Sequence, residues 1–522
     1  MRRLALLLSF SVGLLSLSQE ILWVRLLSFG QQGRPQAFAL VLVAFLVGIS
    51  AGSVVGRRIC ERSTELLASA ARVLSWAAAL DVITLQMAAP LLGYTPLRLA
   101  ALLLLIALTA GAKGVLFPIV HHLGSHASRE TLGRSVSTVY LANVMGSALG
   151  PLITGFWLLD LLPVEGAWGL VAAGTAALAV ICLIAAPQRQ RSWFALPVLL
   201  LGMGGVLVAQ PLPVVRKVAT DADEASTPIR QLIQNKHGIL HTIAQDDGDI
   251  TYGGNAYDGR VNVDMSLNSN ILDRAYLMAV LHPAPKRVLV IGLSTGAWTQ
   301  VILGFPGIEQ VDVVEINPGY RDLIASHPAV APLLKDPRVS LHFDDGRRWL
   351  RANPEARYDL IFQNTTHHWR TYTSLLLSRE YLQEMSRHLI PGGIAAMNTT
   401  DSLDAYATAL DVFRHVARYV NFAYMSDRPL RRRPDAEAVL RACRTLSQPT
   451  FPNHLFAEPA VAWRLLNTPL IEAGDYLRQQ EPEEPPRAIT DLNMVNEFRH
   501  GKSPLFGWLK PILPASPHGV DN

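Results

Sequence analysis

Cysteine is scarce in this chain, with three residues in 522, namely Cys60, Cys182 and Cys443. They lie far apart in the sequence, so they predict neither a disulfide framework nor a metal cluster. Charged residues are also few, at 17% against 50% hydrophobic residues. The formal net charge of +4 is small for this length and gives no reason to expect a nucleic-acid partner. The length itself predicts two or three domains.

The shortage of acidic residues is concentrated in the first part of the chain. Before about Gln210, apolar runs dominate, whereas charges, prolines and alternating patterns follow Val214. Apolar segments of about 20 residues have the length that a helix needs to cross a bilayer. Seven are predicted: Leu4–Leu27, Ala37–Val55, Leu66–Leu92, Leu97–His121, Val136–Leu159, Trp168–Ala186 and Trp193–Ala209. The pattern indicates a multi-pass α-helical membrane domain, with the lipid bilayer as its partner.

Arginines near the ends of the predicted spans indicate the orientation, because positive charges favour the cytoplasmic side. They place the N-terminus in the cytoplasm, with the spans in the cell membrane. Arg2 and Arg3 precede the first span, and no small-residue cleavage site follows, so we interpret it as a retained span. Seven spans would put the C-terminal half outside, on the opposite side of the membrane from the N-terminus. If Trp193–Ala209, which contains Pro197, does not span, that half is cytoplasmic, and the sequence leaves this open.

Several polar residues fall inside the predicted spans: Gln19, Glu20, Asp81, Lys113 and Asn143. Ionisable groups in lipid are costly, so each one needs a partner or a function. We expect Glu20 to pair with Lys113 or with Arg25 inside the bundle, and a transport or ligand role stays open. Gly146 and Gly150 are spaced for close packing of two helices.

The rest of the chain predicts a mixed architecture. A linker and a small antiparallel sheet of hairpins occupy residues 214–286, with strands at Gly238–Ala244 and Arg260–Val263. From Arg287, strands alternate with helices, as in an α/β Rossmann-like domain of the class I methyltransferase type. The predicted strands are Arg287–Ile291, Gln310–Val314, Val339–Phe343, Tyr358–Phe362 and Ile394–Met397. A helix from Ser378 to Leu389 is expected to stop at Pro391-Gly392-Gly393. The predicted domains are thus 1–213, 214–286, 287–445 and a C-terminal extension, 446–522.

Three successive strand ends carry residues that suit an adenosine-type ligand. Gly292, Ser294, Thr295 and Gly296 form the first strand-to-helix turn, where small residues let a ligand approach the backbone. Glu315 ends the second strand, where an acid can accept hydrogen bonds from ribose hydroxyls. The third strand ends at Asp345-Gly346, where a carboxylate can meet an adenine amino group. The sequence therefore predicts adenosine binding, or a structural remnant of such a site.

Six motifs in order resemble those of polyamine aminopropyltransferases, the spermidine synthases: V-L-V-I-G-L-S-T-G, V-V-E-I-N-P, D-D-G-R-R-W-L, Y-D-L-I-F-Q-N-T-T, L-L-S-R-E-Y and H-L-I-P-G-G. N-A-Y-D-G-R is similar to the family's L-D-G-x-x-Q turn. The spans, with S-Q-E-I-L-W-V-R, resemble bacterial membrane-fused members. The resemblance implies S-adenosylmethionine or its decarboxylated form as the bound co-substrate, with no metal, and a place in polyamine biosynthesis.

The departures from the family fall on the reaction chemistry. Thr295 stands where the family has the Asp of G-G-G-D-G, which holds the cationic end of the donor. Asn364 stands at the first Asp of D-S-x-D-P, which deprotonates the attacking diamine, and an amide cannot accept that proton. The family's Tyr-His-Glu segment reads Tyr276-Leu277-Met278. The resemblance thus implies a retained nucleotide half, with Glu315 and Asp345, and an altered acceptor half.

Other residues have two interpretations each. His367-His368-Trp369-Arg370 either lines the pocket as an acid, a base or an anion clamp, or simply packs as a loop. Asp258, Asp264 and Asp273 either supply acids from the hairpin side or are solvated turn residues. The segment T-D-L-N-M-V-N-E-F resembles a closing motif of the membrane-fused relatives.

Two functional hypotheses follow. The first is a membrane-bound transferase that moves an aminopropyl or methyl group to an unidentified small-molecule acceptor, with Asn364 orienting that acceptor. The second is a catalytically inactive transferase fold that serves as a ligand-binding or regulatory module of a transporter-like bundle. Transport by the spans alone would rest only on Glu20 and Lys113, and a homo-oligomer stays open.

Overall fold

The computed structural model describes residues 1–92, 95–125, 132–187, 200, 203–204, 213–220, 228–265, 268–364, 367–445, 448–452, 459–482 and 484–500. Within these residues the chain forms two compact units. The first is drawn from Met1–Ser226 with Gln234–Lys236, and the second from Thr227–Ile233 and His237–Lys502.

The first unit is helical. Its α-helices are α1 (Arg2–Gly30), α2 (Gln36–Arg62), α3 (Leu66–Leu91), α4 (Pro96–Gly114), α5 (Leu116–Gly124), α6 (Leu132–Ile153), α7 (Leu159–Leu161), α8 (Val164–Ala185) and α9 (Val214–Thr220), with a π-helical turn at Thr154–Leu158. Among the described residues, six helical stretches are long and apolar enough to cross a membrane: Arg2–Gly30, Gln36–Arg62, Leu66–Leu91, Pro96–Gly124, Gly133–Leu161 and Val164–Ala185. They coincide with the first six predicted spans. The seventh, Trp193–Ala209, falls almost entirely outside the described residues.

Glycines let α1 and α6 approach closely. A Cβ added at Gly146 would lie 1.9 Å from the carbonyl oxygen of Phe10, and one at Gly150 would lie 2.3 Å from that of Leu14. Since a real Cβ cannot approach that near, both positions need glycine. The predicted packing role of this pair is confirmed.

The buried charges of this unit pair differently from the prediction. Lys113 of α4 places its Nζ 2.7 and 2.8 Å from the carboxylate oxygens of Asp81 on α3. Gln19 of α1 accepts a hydrogen bond from Lys113 and donates one to Asp81, each at 2.6 Å. The expected pairing of Glu20 with Lys113 is therefore wrong. Neighbouring positions on a helix do not face the same way, so Gln19 faces this cluster and Glu20 does not.

The second unit begins with a small antiparallel sheet. Its strands, in spatial order, are β1 (Ile229–Asn235), β2 (Gly238–Ile243), β3 (Ile250–Gly253) and β4 (Ala256–Arg260). The strand predicted at Arg260–Val263 is wrong, because β4 lies earlier. Gly254 and Asn255 take φ values of 59° and 66° and join β3 to β4 by a two-residue hairpin turn, which needs residues that tolerate positive φ.

A larger mixed sheet follows. Its strands are β5 (Arg287–Ile291), β6 (Gln310–Glu315), β7 (Val339–Phe343), β8 (Tyr358–Gln363), β9 (Leu389–Asn398), β10 (His415–Tyr419), β11 (Phe422–Ser426) and the two-residue β14 (Ile471–Glu472). The spatial order is β14-β10-β11-β9-β8-β5-β6-β7, in which β5 to β9 run parallel and β10, β11 and β14 make antiparallel pairs. The predicted Rossmann-like architecture is confirmed. β12 (Arg444–Thr445) and β13 (Gln448–Pro452) form a separate ribbon.

Helices cover this sheet and extend beyond it. They are α10 (Asp273–Leu281), α11 (Ala297–Leu303), α12 (Gly319–Ala325), α13 (Gly346–Ala352), α14 (Arg379–Arg387), α15 (Leu403–Val412), α16 (Ala436–Ala442), α17 (Pro459–Asn467), α18 (Ala473–Gln479) and α19 (Val495–His500). Short 3₁₀ turns lie at Ala331–Lys335 and Thr373–Leu376.

Pro391-Gly392-Gly393 was expected to lie between a helix and a strand, yet it lies inside β9. The paired strand β8 advances two residues, from Tyr358 to Leu360, while β9 advances five, from Leu389 to Ile394. The extra residues bulge out of the ladder, which accommodates a proline that has no N–H to donate. α14 ends at Arg387, before this bulge.

Candidate active site

The carboxyl ends of β5, β6, β7 and β8 lie at one edge of the sheet, because these strands are parallel neighbours. At this edge Gly292 takes a φ of 88°, and a Cβ there would lie 2.4 Å from the carbonyl oxygen of Asn364. Gly296, with a φ of 74°, caps α11, and its missing Cβ leaves room for Leu333 and Ile324. Gly292 thus lets two strand ends meet, while Gly296 lets α11 pack on the core.

Glu315, at the end of β6, links this strand to the turn after β5 by hydrogen bonds. Its Oε2 accepts a hydrogen bond from the Leu293 N–H at 2.8 Å, and its Oε1 accepts one from the Asn317 N–H at 2.8 Å. Burial raises the pKa of Glu315 to about 7, with a further contribution from the charge of Asp258, against the lowering effect of the backbone N–H groups. A carboxylate has about four acceptor positions, so capacity remains for a ligand hydroxyl.

The end of β7 presents two more acids. Asp345 caps α13 by accepting a hydrogen bond from the Arg348 N–H at 2.8 Å, and its side chain is exposed. Asp344 accepts from the Asp345 N–H at 2.6 Å and pairs with Arg348. A Cβ at Gly346 would lie 2.7 Å from the Ile291 side chain, so glycine lets α13 start directly against β5.

These strand ends enclose a cavity of about 270 Å³, which we call the first cavity. Six of the predicted site residues line it: Gly292, Ser294, Glu315, Asp345, Gly346 and Asn364. The other two, Thr295 and Gly296, are buried in the same turn and do not line it. The structure therefore gathers most of the predicted positions around one space, and their contact with a ligand remains a prediction.

Three more charged or polar groups line the first cavity, namely Asp258, Tyr320 and Arg370. The sequence left the roles of Asp258 and Arg370 open and gave no indication of Tyr320. Tyr320 donates its hydroxyl hydrogen to the carboxylate of Asp258, and the Ser294 hydroxyl donates to the Asp258 carbonyl oxygen at 2.6 Å. Burial raises the pKa of Asp258 to about 6, against the lowering effects of Tyr320 and Arg370. Asp258 is thus not a solvated turn residue. Its burial depends on the contact between the hairpin sheet and the glycine turn, which has no local sequence signal.

Asp273, for which a solvated turn was one of the two alternatives, is fully buried, whereas Asp258 is half-buried. It accepts hydrogen bonds from the Tyr419 hydroxyl at 3.0 Å and from Arg464 Nε at 3.1 Å. Its role in this structure is therefore to tie α10 to β10 and α17.

A second cavity of about 290 Å³ shares Asp258 and Asn364 with the first. Arg274 lines it, with its guanidinium 4.5 Å from the centre of the Trp298 ring. His367 also lines it, and burial lowers the pKa of this imidazole to about 4, so it is neutral at pH 7. Three more amide side chains complete its polar wall: Asn270, Asn398 and Asn421.

Asn364 lies between the two cavities and is held on both sides. Its N–H donates to the Ile291 carbonyl oxygen at 3.1 Å, and its Oδ1 accepts from the Asn398 amide at 3.2 Å.

Tyr276, Leu277 and Met278, which stand where the family has Tyr-His-Glu, are buried residues of α10. Within the described ranges, no group of three or more His, Cys, Asp or Glu is positioned to hold a metal ion.

The T-D-L-N-M-V-N-E-F segment closes over this side of the sheet. Asp491 forms an ion pair with Arg347 of α13 and accepts from the Ser378 hydroxyl at 2.7 Å. Glu497 accepts from the Ser374 N–H at 3.2 Å. The segment therefore holds the elements that follow Asp345 and Asn364 in place, which gives it a structural role.

The raised pKa values of Glu315 and Asp258 predict opposite pH trends for stability and for ligand binding. Both acids bind protons more tightly in the folded than in the unfolded chain, so the free energy of unfolding should fall as the pH rises from about 4 to about 7. A ligand with ribose hydroxyls or a sulfonium favours the ionised acids, so its affinity should rise over the same window. Calorimetric titration with methylthioadenosine at pH 6 and pH 8 measures the second trend, and equal affinities would contradict it.

Part of the chain matches the sequence model of a known protein family. The model for the spermine/spermidine synthase domain matches residues 275–426. Polyamine aminopropyltransferase 2 of Streptomyces coelicolor is 28% identical over 317 residues, which is 58% of this chain and 54% of that protein. Polyamine aminopropyltransferase of Corynebacterium efficiens is 25% identical over 399 residues, 74% of each chain. That of Streptococcus pneumoniae serotype 4 is 38% identical over 118 residues, 22% of this chain and 40% of that one.

The chain thus spans about half the length of the first of these relatives. The 399-residue match to the Corynebacterium protein is longer than the second unit, so it extends into the helical part of the chain. Among solved structures, spermidine synthase from Thermotoga maritima matches with a TM-score of 0.36 and 17% identity, covering 45% of this chain and 87% of that one.

Proposed function

The C-terminal part of this chain is a spermidine synthase domain, and from this premise we propose that the protein is a membrane-bound transferase that uses an adenosyl sulfonium donor. The supporting observation is the first cavity, where Glu315, Asp345 and the glycine turn meet around a space that adjoins a second one. The donor, S-adenosylmethionine or its decarboxylated form, occupies the first cavity. An unidentified small-molecule acceptor occupies the second.

The proposed step is a displacement at the carbon next to the sulfonium. A nucleophilic atom of the acceptor forms a bond to that carbon, and the carbon–sulfur bond breaks with its electron pair going to sulfur. The leaving group is a neutral thioether, methylthioadenosine when the aminopropyl arm is transferred. Asn364 orients the acceptor but cannot take its proton. The acceptor therefore arrives deprotonated or gives its proton to Asp258 or His367, which both line the second cavity.

The lining of the second cavity disfavours a diamine acceptor. A diamine carries two positive charges at pH 7, whereas this cavity presents the guanidinium of Arg274 and four neutral amides. The carboxylates that line it are Asp258 and the exposed Asp401. Because Arg274 offsets one of these carboxylates and Asn364 supplies no charge, we expect an acceptor with fewer positive charges than a diamine.

Replacing Asn364 with aspartate should raise the affinity for putrescine about tenfold, because a charge-assisted hydrogen bond to an ammonium is worth about 1.4 kcal/mol more than a neutral one. Titration of putrescine into the full-length protein saturated with methylthioadenosine measures this change. Asn467→Asp, at an exposed position, is the matched control. Tight putrescine binding by the unaltered protein would contradict an altered acceptor side.

The bilayer is the proposed partner of the six apolar helices. Among the described residues, the six spans bring the chain at Ala185 back to the side of its N-terminus, which the arginine distribution puts in the cytoplasm. Whether Trp193–Ala209 adds a seventh span decides the side of Val214. Reporter fusions at Val214 in intact cells test this topology. A cytoplasmic signal supports an adenosyl donor, whereas an external signal favours the second candidate function below.

The decisive test is calorimetric titration of the detergent-solubilised full-length protein with S-adenosylmethionine, its decarboxylated form and methylthioadenosine. Binding of methylthioadenosine supports the proposal, and binding of none of the three rejects it.

The second candidate function is a catalytically inactive ligand-binding module of a transporter-like bundle, which the buried Lys113–Asp81 pair favours. It predicts donor binding without release of methylthioadenosine or S-adenosylhomocysteine when a cell extract supplies acceptors.

A further inference from the structure

One wall of the first cavity carries an arginine whose position is well defined. Arg370 lines the cavity together with Gly254 and Asp258. Its N–H donates to the His367 carbonyl oxygen at 3.1 Å, and its own carbonyl oxygen accepts from the Thr373 N–H at 3.2 Å. A Cβ added at Gly254 would lie 2.6 Å from a terminal nitrogen of the guanidinium. The hairpin turn thus leaves this space to Arg370.

The same wall presents a negative charge beside the positive one. Asp258 attracts Arg370, which partly offsets the lowering of the arginine pKa by burial. A guanidinium starts from so high a pKa that it stays charged at pH 7. Among the described residues that line this cavity, Arg370 is the one Lys or Arg. The wall therefore offers one fixed cation and one anion side by side.

The two donors differ in a way that this wall can distinguish. The decarboxylated donor ends in an ammonium, so its tail is purely cationic and would be repelled by Arg370. S-adenosylmethionine ends in an ammonium and a carboxylate, and these charges complement Asp258 and Arg370. Thr295, which stands where the family has an Asp, supplies no charge to a cationic tail. A guanidinium suits a carboxylate especially well, because it can donate two parallel hydrogen bonds.

We propose that the donor is S-adenosylmethionine with its carboxylate intact, and that Arg370 is the residue that recognises this carboxylate. The inference rests on the proposed function and names the donor that it leaves open. It makes Arg370 a specificity-determining residue, and it makes the transferred group either methyl or one that retains the carboxylate.

The test compares three ligands on the full-length protein by calorimetric titration. The unaltered protein should bind S-adenosylmethionine about 10- to 100-fold more tightly than the decarboxylated form, the range expected for hydrogen bonds to a charged group. Arg370→Met should remove this preference, and it should lower the affinity for S-adenosylmethionine more than that for methylthioadenosine, which has no carboxylate. Arg387→Met, an exposed arginine on α14, is the matched control.

Each outcome separates the inference from the function on which it rests. If methylthioadenosine binds but the decarboxylated donor binds as tightly as S-adenosylmethionine, the inference is wrong and the proposed function stands. A preference that persists in Arg370→Met removes the role of Arg370. If Arg370→Met also fails to bind methylthioadenosine, the same comparison is made with Arg370→Gln. Failure of all three ligands to bind the unaltered protein rejects the proposed function itself.

Discussion

Glu315→Ala should weaken methylthioadenosine binding by about 100-fold or more. The proposed contacts from the carboxylate to the ribose hydroxyls are charge-assisted, and the loss of two of them accounts for that range. The variant also removes the acceptor of the Leu293 and Asn317 N–H groups, so the glycine turn loses its anchor to β6. Both effects act in the same direction on binding. Titration of the full-length variant with methylthioadenosine measures the sum.

Glutamine at this position should not restore binding. Both carboxylate oxygens of Glu315 accept backbone N–H groups, so an amide would have to direct its own N–H at Leu293 or Asn317. Glu309→Ala is the control, because Glu309 is an exposed glutamate paired with Lys286 near the start of β6. If Glu315→Ala kept the wild-type affinity for methylthioadenosine, the first cavity would not be the adenosine site. A loss in Glu309→Ala of similar size would show that the effect is not specific.

The strands and their carboxyl-end acids were predictable because their signals are local. An apolar run of β length that ends in Gly292 or Glu315 has the same meaning wherever the strand lies in a sheet. Parallel alternation of strands and helices then brings these ends to one edge. The predicted bounds of β5 and β7 agree with the observed ones for this reason.

Asp258 and Arg370, for which the sequence left two interpretations open, are placed by contacts between distant segments. Asp258 becomes part of the cavity because its hairpin sheet docks on Ser294, and Arg370 because its loop turns toward Gly254. The polar residues of the loop, as a sequence, are equally compatible with an exposed turn. The partner of Lys113 was missed because the five polar positions inside the predicted spans allow several pairings. Only the packing of α1, α3 and α4 selects Asp81.

The buried ion pair of Lys113 and Asp81 predicts a large loss of stability when its cation is removed. Lys113→Met alone should cost about 3–5 kcal/mol in free energy of unfolding, because it leaves the carboxylate of Asp81 buried without its cation. Both residues are almost inaccessible to solvent, so water cannot replace the lost partner. The midpoint of thermal unfolding of the detergent-solubilised full chain, followed by tryptophan fluorescence, measures the loss.

The double variant Lys113→Met with Asp81→Leu should recover most of this stability, since replacing both members of a buried pair by apolar residues removes the uncompensated charge. Arg57→Met is the control within the same unit, because Arg57 and Glu61 form an exposed pair on α2 that should contribute less than about 1 kcal/mol. Recovery in the double variant identifies the pair as a packing device of the bundle. A double variant as unstable as the single one would mean that Gln19 and Thr175, which also contact Asp81, need its carboxylate in place. The polar cluster would then be built around Asp81 itself.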